Sequence, residues 1–236
     1  MIELRPFAGL GHASHGWLQA VHHFSFASYH DPERMAWGRL RVWNDDAIAP
    51  KSGFPPHGHR DMEIITYVRE GAISHEDSLG NKGRTAAGDV QVMSAGTGIQ
   101  HSEWNHEAET TRLFQIWILP DRAGEAPGWD ARQFPKADEG AGQGSGFTIL
   151  ASGMAGDDDA LPIRADARVA GATLRAGESA TYSCTADRHV YIVPATGRIR
   201  IGDVEAHARD GVAIRDMTEI SVTALEDGEL VLVDSL

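Results

Sequence analysis

Cysteine is almost missing from this chain of 236 residues: Cys184 stands alone and cannot close an internal disulfide. The fold must therefore rest on its apolar core. Basic residues are scarce as well, with 21 Lys and Arg against 34 Asp and Glu and a formal net charge of −13. No basic run is present to draw affinity from phosphates, so direct nucleic-acid binding and attachment to an acidic membrane are both disfavoured. No stretch approaches the ~20 consecutive apolar residues that span a bilayer. The opening Met1-Ile2-Glu3-Leu4-Arg5-Pro6 has neither the basic nor the apolar part of a signal peptide, and the expected location is cytoplasmic. Sustained helical periodicity is the last absence, and it argues against a helical or α/β fold.

What the chain has instead is short β-rich runs set between Gly, Asp and Asn. Leu40-Arg41-Val42-Trp43, Ile64-Ile65-Thr66-Tyr67-Val68, Leu113-Phe114-Gln115-Ile116-Trp117-Ile118, Val190-Tyr191-Ile192-Val193 and Leu230-Val231-Leu232-Val233 are examples. Residues 121–146 are rich in Gly, Ala, Pro and Asp and are expected to be a connector. The two flanking parts share a layout. Ile64 to Val68 followed by Gly88-Asp89-Val90 lies over Val190 to Val193 followed by Gly211-Val212-Ala213. The expectation is an all-β bicupin, two antiparallel β-barrel or jelly-roll domains with few short helices. Residues 1–120 would form the first domain and residues 147–236 the second.

Twelve histidines are a surplus, and two groups have the spacing of metal ligands. In Pro55-Pro56-His57-Gly58-His59 an extended strand turns both imidazoles to one face, and in His101-Ser102-Glu103 it does the same for an imidazole and a carboxylate. Glu63 competes with Glu103 for the carboxylate position, because its parity along the chain matches that of His57 and His59. A mixed set of imidazoles and one carboxylate suits Fe(II), Mn(II), Ni(II), Cu(II) or Zn(II) with coordination positions left open. Phe24, Phe26, Phe54, Met93 and Trp104 flank these segments and could line an aromatic substrate pocket. The residues aligned with the ligands in the second part, Ser183, Thr185 and Ala224, are not imidazoles, and only Glu226 repeats a carboxylate. The second domain is therefore expected to bind no metal.

Three segments carry a family resemblance: His57-Gly58-His59-Arg60-Asp61-Met62-Glu63 through Val68, His75-Glu76-Asp77-Ser78-Leu79-Gly80-Asn81, and Gly88-Asp89-Val90 through Gln100-His101-Ser102-Glu103. With Phe24 to Tyr29 and Leu40 to Asp46, they resemble the pirin family of the cupin superfamily over about residues 20–120. The resemblance implies that His57, His59, His101 and Glu103 hold one divalent metal, with Fe(II) favoured, and that Glu63 is a supporting residue. It also implies quercetin 2,3-dioxygenase activity, as in bacterial pirin-like members. A flavonol and O2 would be consumed, and Glu103 would serve as ligand and as general base. The alternative it carries is a metal-dependent, redox-sensing regulatory protein acting through a protein partner. A monomer is the expected state.

Overall fold

The computed structural model describes residues 1–134 and 146–236. Among them, regular structure is strand apart from one short 3-10 turn, Phe7–Gly9. No described helix is long and apolar enough to cross a membrane. The first half stacks a seven-stranded sheet on a four-stranded one. The large sheet runs Gly128–Arg132, Val90–Ser94, Glu63–Glu70, Thr111–Ile118, Leu40–Ile48, Leu18–His22 and Gly11–Ser14 across its width. The small sheet runs Ser52–His59, Ile99–Asn105, Ala72–Asp77 and Lys82–Ala86. The second half repeats the plan, with Gly211–Arg215, His189–Pro194, Gly228–Ser235 and Ala167–Leu174 at the centre of its large sheet. Both halves are open jelly-roll sandwiches, so the bicupin expectation holds without closed barrels.

The central strands are buried on both faces, which explains their near-continuous apolar sequences. On Thr111–Ile118, the outer residues Phe114, Ile116 and Ile118 enter the core between the halves. Ile65, Tyr67, Trp43, Tyr191, Val193 and Val233 join them there. Fully burying an apolar side chain stabilises by about 1.5–3 kcal/mol, so this shared core ties the halves into one unit. Ion pairs to one buried carboxylate together span the same boundary. Arg69 of the first half and Arg209 of the second both donate to the Asp45 carboxylate, which is 1% exposed.

Two elements cross the boundaries expected from the sequence. Ile2–Arg5 pairs with Gly211–Arg215 and so completes the large sheet of the second half. Gly128–Arg132, inside the expected connector, pairs with Val90–Ser94 and belongs to the first half. Residues 135–145 of that connector lie outside the described residues. The alignment of Glu226 with Glu103 also fails, because its strand ends at Ala224 and Glu226 lies beyond it.

Candidate metal centre

The two histidine groups come from neighbouring strands of the small sheet. Ser52–His59 carries Pro55 and Pro56, which have no N–H to donate, and a strand at the edge of a sheet tolerates them. His101 lies directly across from His57, whereas Glu103 lies across from Phe54. Three residues on the edge strand thus match two on its neighbour, and this bulge turns Phe54 to the face that carries His57 and His59. The His57 ring centroid is 4.4 Å from that of His101 and 4.8 Å from that of His59; His59 and His101 are 5.0 Å apart. One ring nitrogen from each lies within 4.8 Å of the others.

Protonation states follow from the contacts. His57 Nδ1 is 2.8 Å from the Pro55 carbonyl oxygen, which can only accept, so Nδ1 carries a hydrogen and Nε2 is the nitrogen turned toward the other two rings. That Nε2 faces His101 Nε2 at 3.1 Å. Burial, then the neighbouring His57 and His59, hold His101 down at about 2. Burial, then His57, hold His59 at about 4. His59 and His101 are neutral at pH 7 and converge with His57 Nε2, a donor set that fits a divalent cation.

Glu103 adjoins His101 from the other side. His101, His75 and Glu103 form a second group whose candidate ligand atoms lie within 4.8 Å of one another. The Glu103 carboxylate is caged by residues of the large sheet. Oε1 accepts from Gln91 Nε2 at 2.7 Å and Thr66 Oγ1 at 3.3 Å, and Oε2 accepts from Gln115 Nε2 at 2.8 Å. Burial raises its pKa to about 7, with the hydrogen bonds from Gln115, Thr66 and Gln91 opposing the shift. These donors belong to one polar row. His22, Asn44, Gln115, Thr66 and Gln91 are successive cross-strand partners on the inner face of the sheet.

His75 supports the histidines from behind. Its Nε2 lies 3.0 Å from Asp77 Oδ2, which fixes the hydrogen on Nε2 and leaves Nδ1 as a lone pair. The ring stacks on Trp129 at 4.9 Å. Neither Nδ1 of His75 nor Nδ1 of His101 has a hydrogen-bond partner, and both atoms are buried. With His101 Nε2 turned to a metal, its Nδ1 must carry the hydrogen.

Glu63 is not aimed into the site. Arg60, Asp61 and Met62 separate its strand from Ser52–His59, and Asp61 turns the chain with a φ of 46°. Glu63 therefore starts a strand of the opposite sheet, where equal parity no longer means a shared face. It accepts from Ser94 Oγ at 2.5 Å, near Arg164 of the second half.

The expected pocket divides. Phe26 stands edge-on to Trp117 at 5.4 Å, and Trp117 edge-on to His59 at 4.9 Å. Phe54 lies 6.2 Å from His57, and Met93 packs with Ile64, near Trp117 and Trp129. Phe24 does not reach the site; it is fully buried between the halves against Tyr191. Trp104 turns away as well, because alternation on its strand aims it opposite to Glu103, where it stacks on His106. Sequence reasoning missed Trp117, Trp129, Thr66, Gln91 and Gln115. A glutamine at the centre of an apolar strand was the available signal.

The chain matches the Pirin family model over residues 4–118 and the quercetinase C-terminal cupin domain model over residues 149–235. It is 66% identical over 99% of both chains to a Pseudomonas aeruginosa protein that carries a provisional quercetin 2,3-dioxygenase name. It is 42% identical to the quercetin 2,3-dioxygenase of Escherichia coli K12, covering 99% of this chain and 98% of that one. The crystal structure of bacterial pirin YhhW from E. coli in complex with nickel(II) matches with a TM-score of 0.91 at 42% identity, over 100% of this chain and 99% of that one.

Proposed function

The chain belongs to the pirin family of cupin proteins, and on that footing we propose that it is a metal-dependent dioxygenase that opens flavonols such as quercetin with O2. The observation that carries the proposal is the convergence of His57, His59 and His101 beside the caged carboxylate of Glu103, next to an aromatic wall. These four residues would hold one divalent ion. Fe(II) is favoured by the family resemblance, and nickel(II) is the ion in the YhhW complex. Such an ion would supply Lewis acidity toward the flavonol 3-hydroxyl and open positions for the reactants.

The protein groups have distinct tasks. Glu103 stands beside His101 and would accept the 3-hydroxyl proton, with its oxygens aimed by Gln91, Gln115 and Thr66. Trp117 and Phe26 present ring edges and faces on which a flat polycyclic substrate can stack. The apolar cluster of Ile64, Met93, Ala95 and Ile99 keeps this end of the site dry.

The test uses metal-stripped protein reconstituted separately with Fe, Mn, Ni, Cu and Zn, followed by oxygen uptake and loss of flavonol absorbance with quercetin. Turnover with at least one metal that disappears in His101→Ala is the expected result. Tight metal binding without turnover would overturn the enzyme reading and favour a metal-dependent regulatory protein. A chain of net charge −13 would seek basic surfaces on such a partner.

A further inference from the structure

We propose that Gln115 is a positioning residue that ties the aromatic wall at Trp117 to the metal-facing oxygen of Glu103. The inference rests on the site described above and deepens it. Oε1 of Glu103 already accepts two hydrogen bonds, from Gln91 and Thr66, and its lone pairs are used. Oε2 accepts one, from Gln115, and keeps a lone pair free. Oε2 is therefore the oxygen left to face a cation or a substrate proton, and Gln115 is the protein group that shares it.

The amide of Gln115 is itself held in one orientation. Its Oε1 accepts from the indole Nε1 of Trp117 at 3.1 Å, so its Nε2 must turn to Glu103. On the other side Thr85 Oγ1 donates to Gln91 Oε1 at 2.9 Å, and the Glu103 carboxylate, which can only accept, holds the Gln91 amide with its Nε2 inward. The result is one directed chain: Trp117 to Gln115 to Glu103, met by Thr85 to Gln91 to Glu103. All five side chains are at least half buried, and Gln91 and Glu103 are 3% and 2% exposed. Flipping Gln115 would set N–H against N–H at Trp117 and oxygen against oxygen at Glu103, and flipping Gln91 would set oxygen against oxygen at Glu103, costs that low dielectric makes severe. Trp117 also touches His59 at 4.9 Å and Phe26 at 5.4 Å. The ring that would pack on substrate and the oxygen that would take its proton are thereby held as one unit.

Three variants of the full chain, loaded with Co(II), test this: Gln115→Met, which keeps the volume and removes the donor; Trp117→Phe, which keeps a ring and removes the N–H; and Glu103→Gln. The readouts are the visible absorption of the bound cobalt, and kcat and KM for quercetin with the most active metal. Gln115→Met is expected to change the cobalt spectrum and lower kcat about tenfold, the worth of one charge-assisted hydrogen bond, with KM nearly unchanged. Trp117→Phe should move kcat and the spectrum in the same direction. In a Glu103→Gln background, Gln115→Met should add nothing further. If Glu103→Gln alters spectrum and turnover while Gln115→Met and Trp117→Phe leave both as in the wild type, the inference is overturned. If Glu103→Gln itself changes neither, the site reading is what fails. Should Gln115→Met not fold, Trp117→Phe decides alone, since its altered atom lies at the outer end of the chain.

Discussion

In the metal-free protein Glu103 should contribute a loss of stability as pH rises toward neutrality, opposite in sign to the gain from the buried His23, His59 and His101, whose pKa values are lowered. The Glu103 carboxyl is 2% exposed, and burial lifts its pKa to about 7 from the ordinary 4.5. A carboxyl whose folded pKa lies above its unfolded value stabilises the fold below about pH 4.5. That contribution is lost progressively until the pH passes about 7, because the unfolded chain ionises first. At about 1.4 kcal/mol per pH unit the loss is about 3 kcal/mol. Asp46 and Glu63 are also raised by burial and add to the slope, but they are common to wild type and variant and cancel in a comparison. Urea unfolding of metal-free wild type and Glu103→Gln at pH 5 and pH 8 isolates the term. The wild type should lose about 2.5 kcal/mol more than the variant across that interval, and saturating nickel should restore most of it at pH 8. Parallel losses in the two proteins would refute the burial argument for Glu103.

The other predictions concern separate parts of the molecule. Replacing His57 or His101 by Ala should abolish bound metal, measured by elemental analysis, whereas Glu63→Gln should leave metal content nearly intact because Glu63 engages Ser94 on another face. Trp117→Ala should raise KM for quercetin by about tenfold, in line with the loss of about 1–2 kcal/mol of aromatic contact, while Trp104→Ala should leave KM unchanged. Gly83→Ala should lower the melting temperature, by about 1–3 kcal/mol of overpacking, since a Cβ there would come within 2.2 Å of the Trp129 ring that backs His75. Calorimetry on the variant checks it.

The sequence made some of this site legible and hid the rest for definable reasons. His57 and His59 are aligned by the two-residue strand period, a local property that needs no knowledge of the fold. The partnership of His57 with His101 is a cross-strand register between residues far apart in sequence, and no local pattern sets it. Parity misleads at Glu63, because the positive φ at Asp61 ends one strand and hands the chain to the other sheet. Phe24 and Phe26 share parity too, yet the regular strand stops at His22, and an isolated bridge between Phe26 and Tyr29 redirects the chain. His22 and His23, where that strand ends, are buried as well, His22 on Asn44 and His23 on Tyr191. Pairing of Ile2–Arg5 with the second half could not be seen at all, for a four-residue edge strand carries no signal of its partner. The layout shared by the two halves was visible because Gly and apolar runs recur in order.

The most direct test of the central claim is the fate of oxygen during turnover. Metal-reconstituted protein is given quercetin under 18O2, and the products are weighed by mass spectrometry alongside the oxygen consumed. The account predicts one O2 consumed per flavonol, both labelled atoms incorporated into product, and no incorporation in His101→Ala. Flavonol loss without incorporated label, or equal loss in the His101 variant, would contradict it.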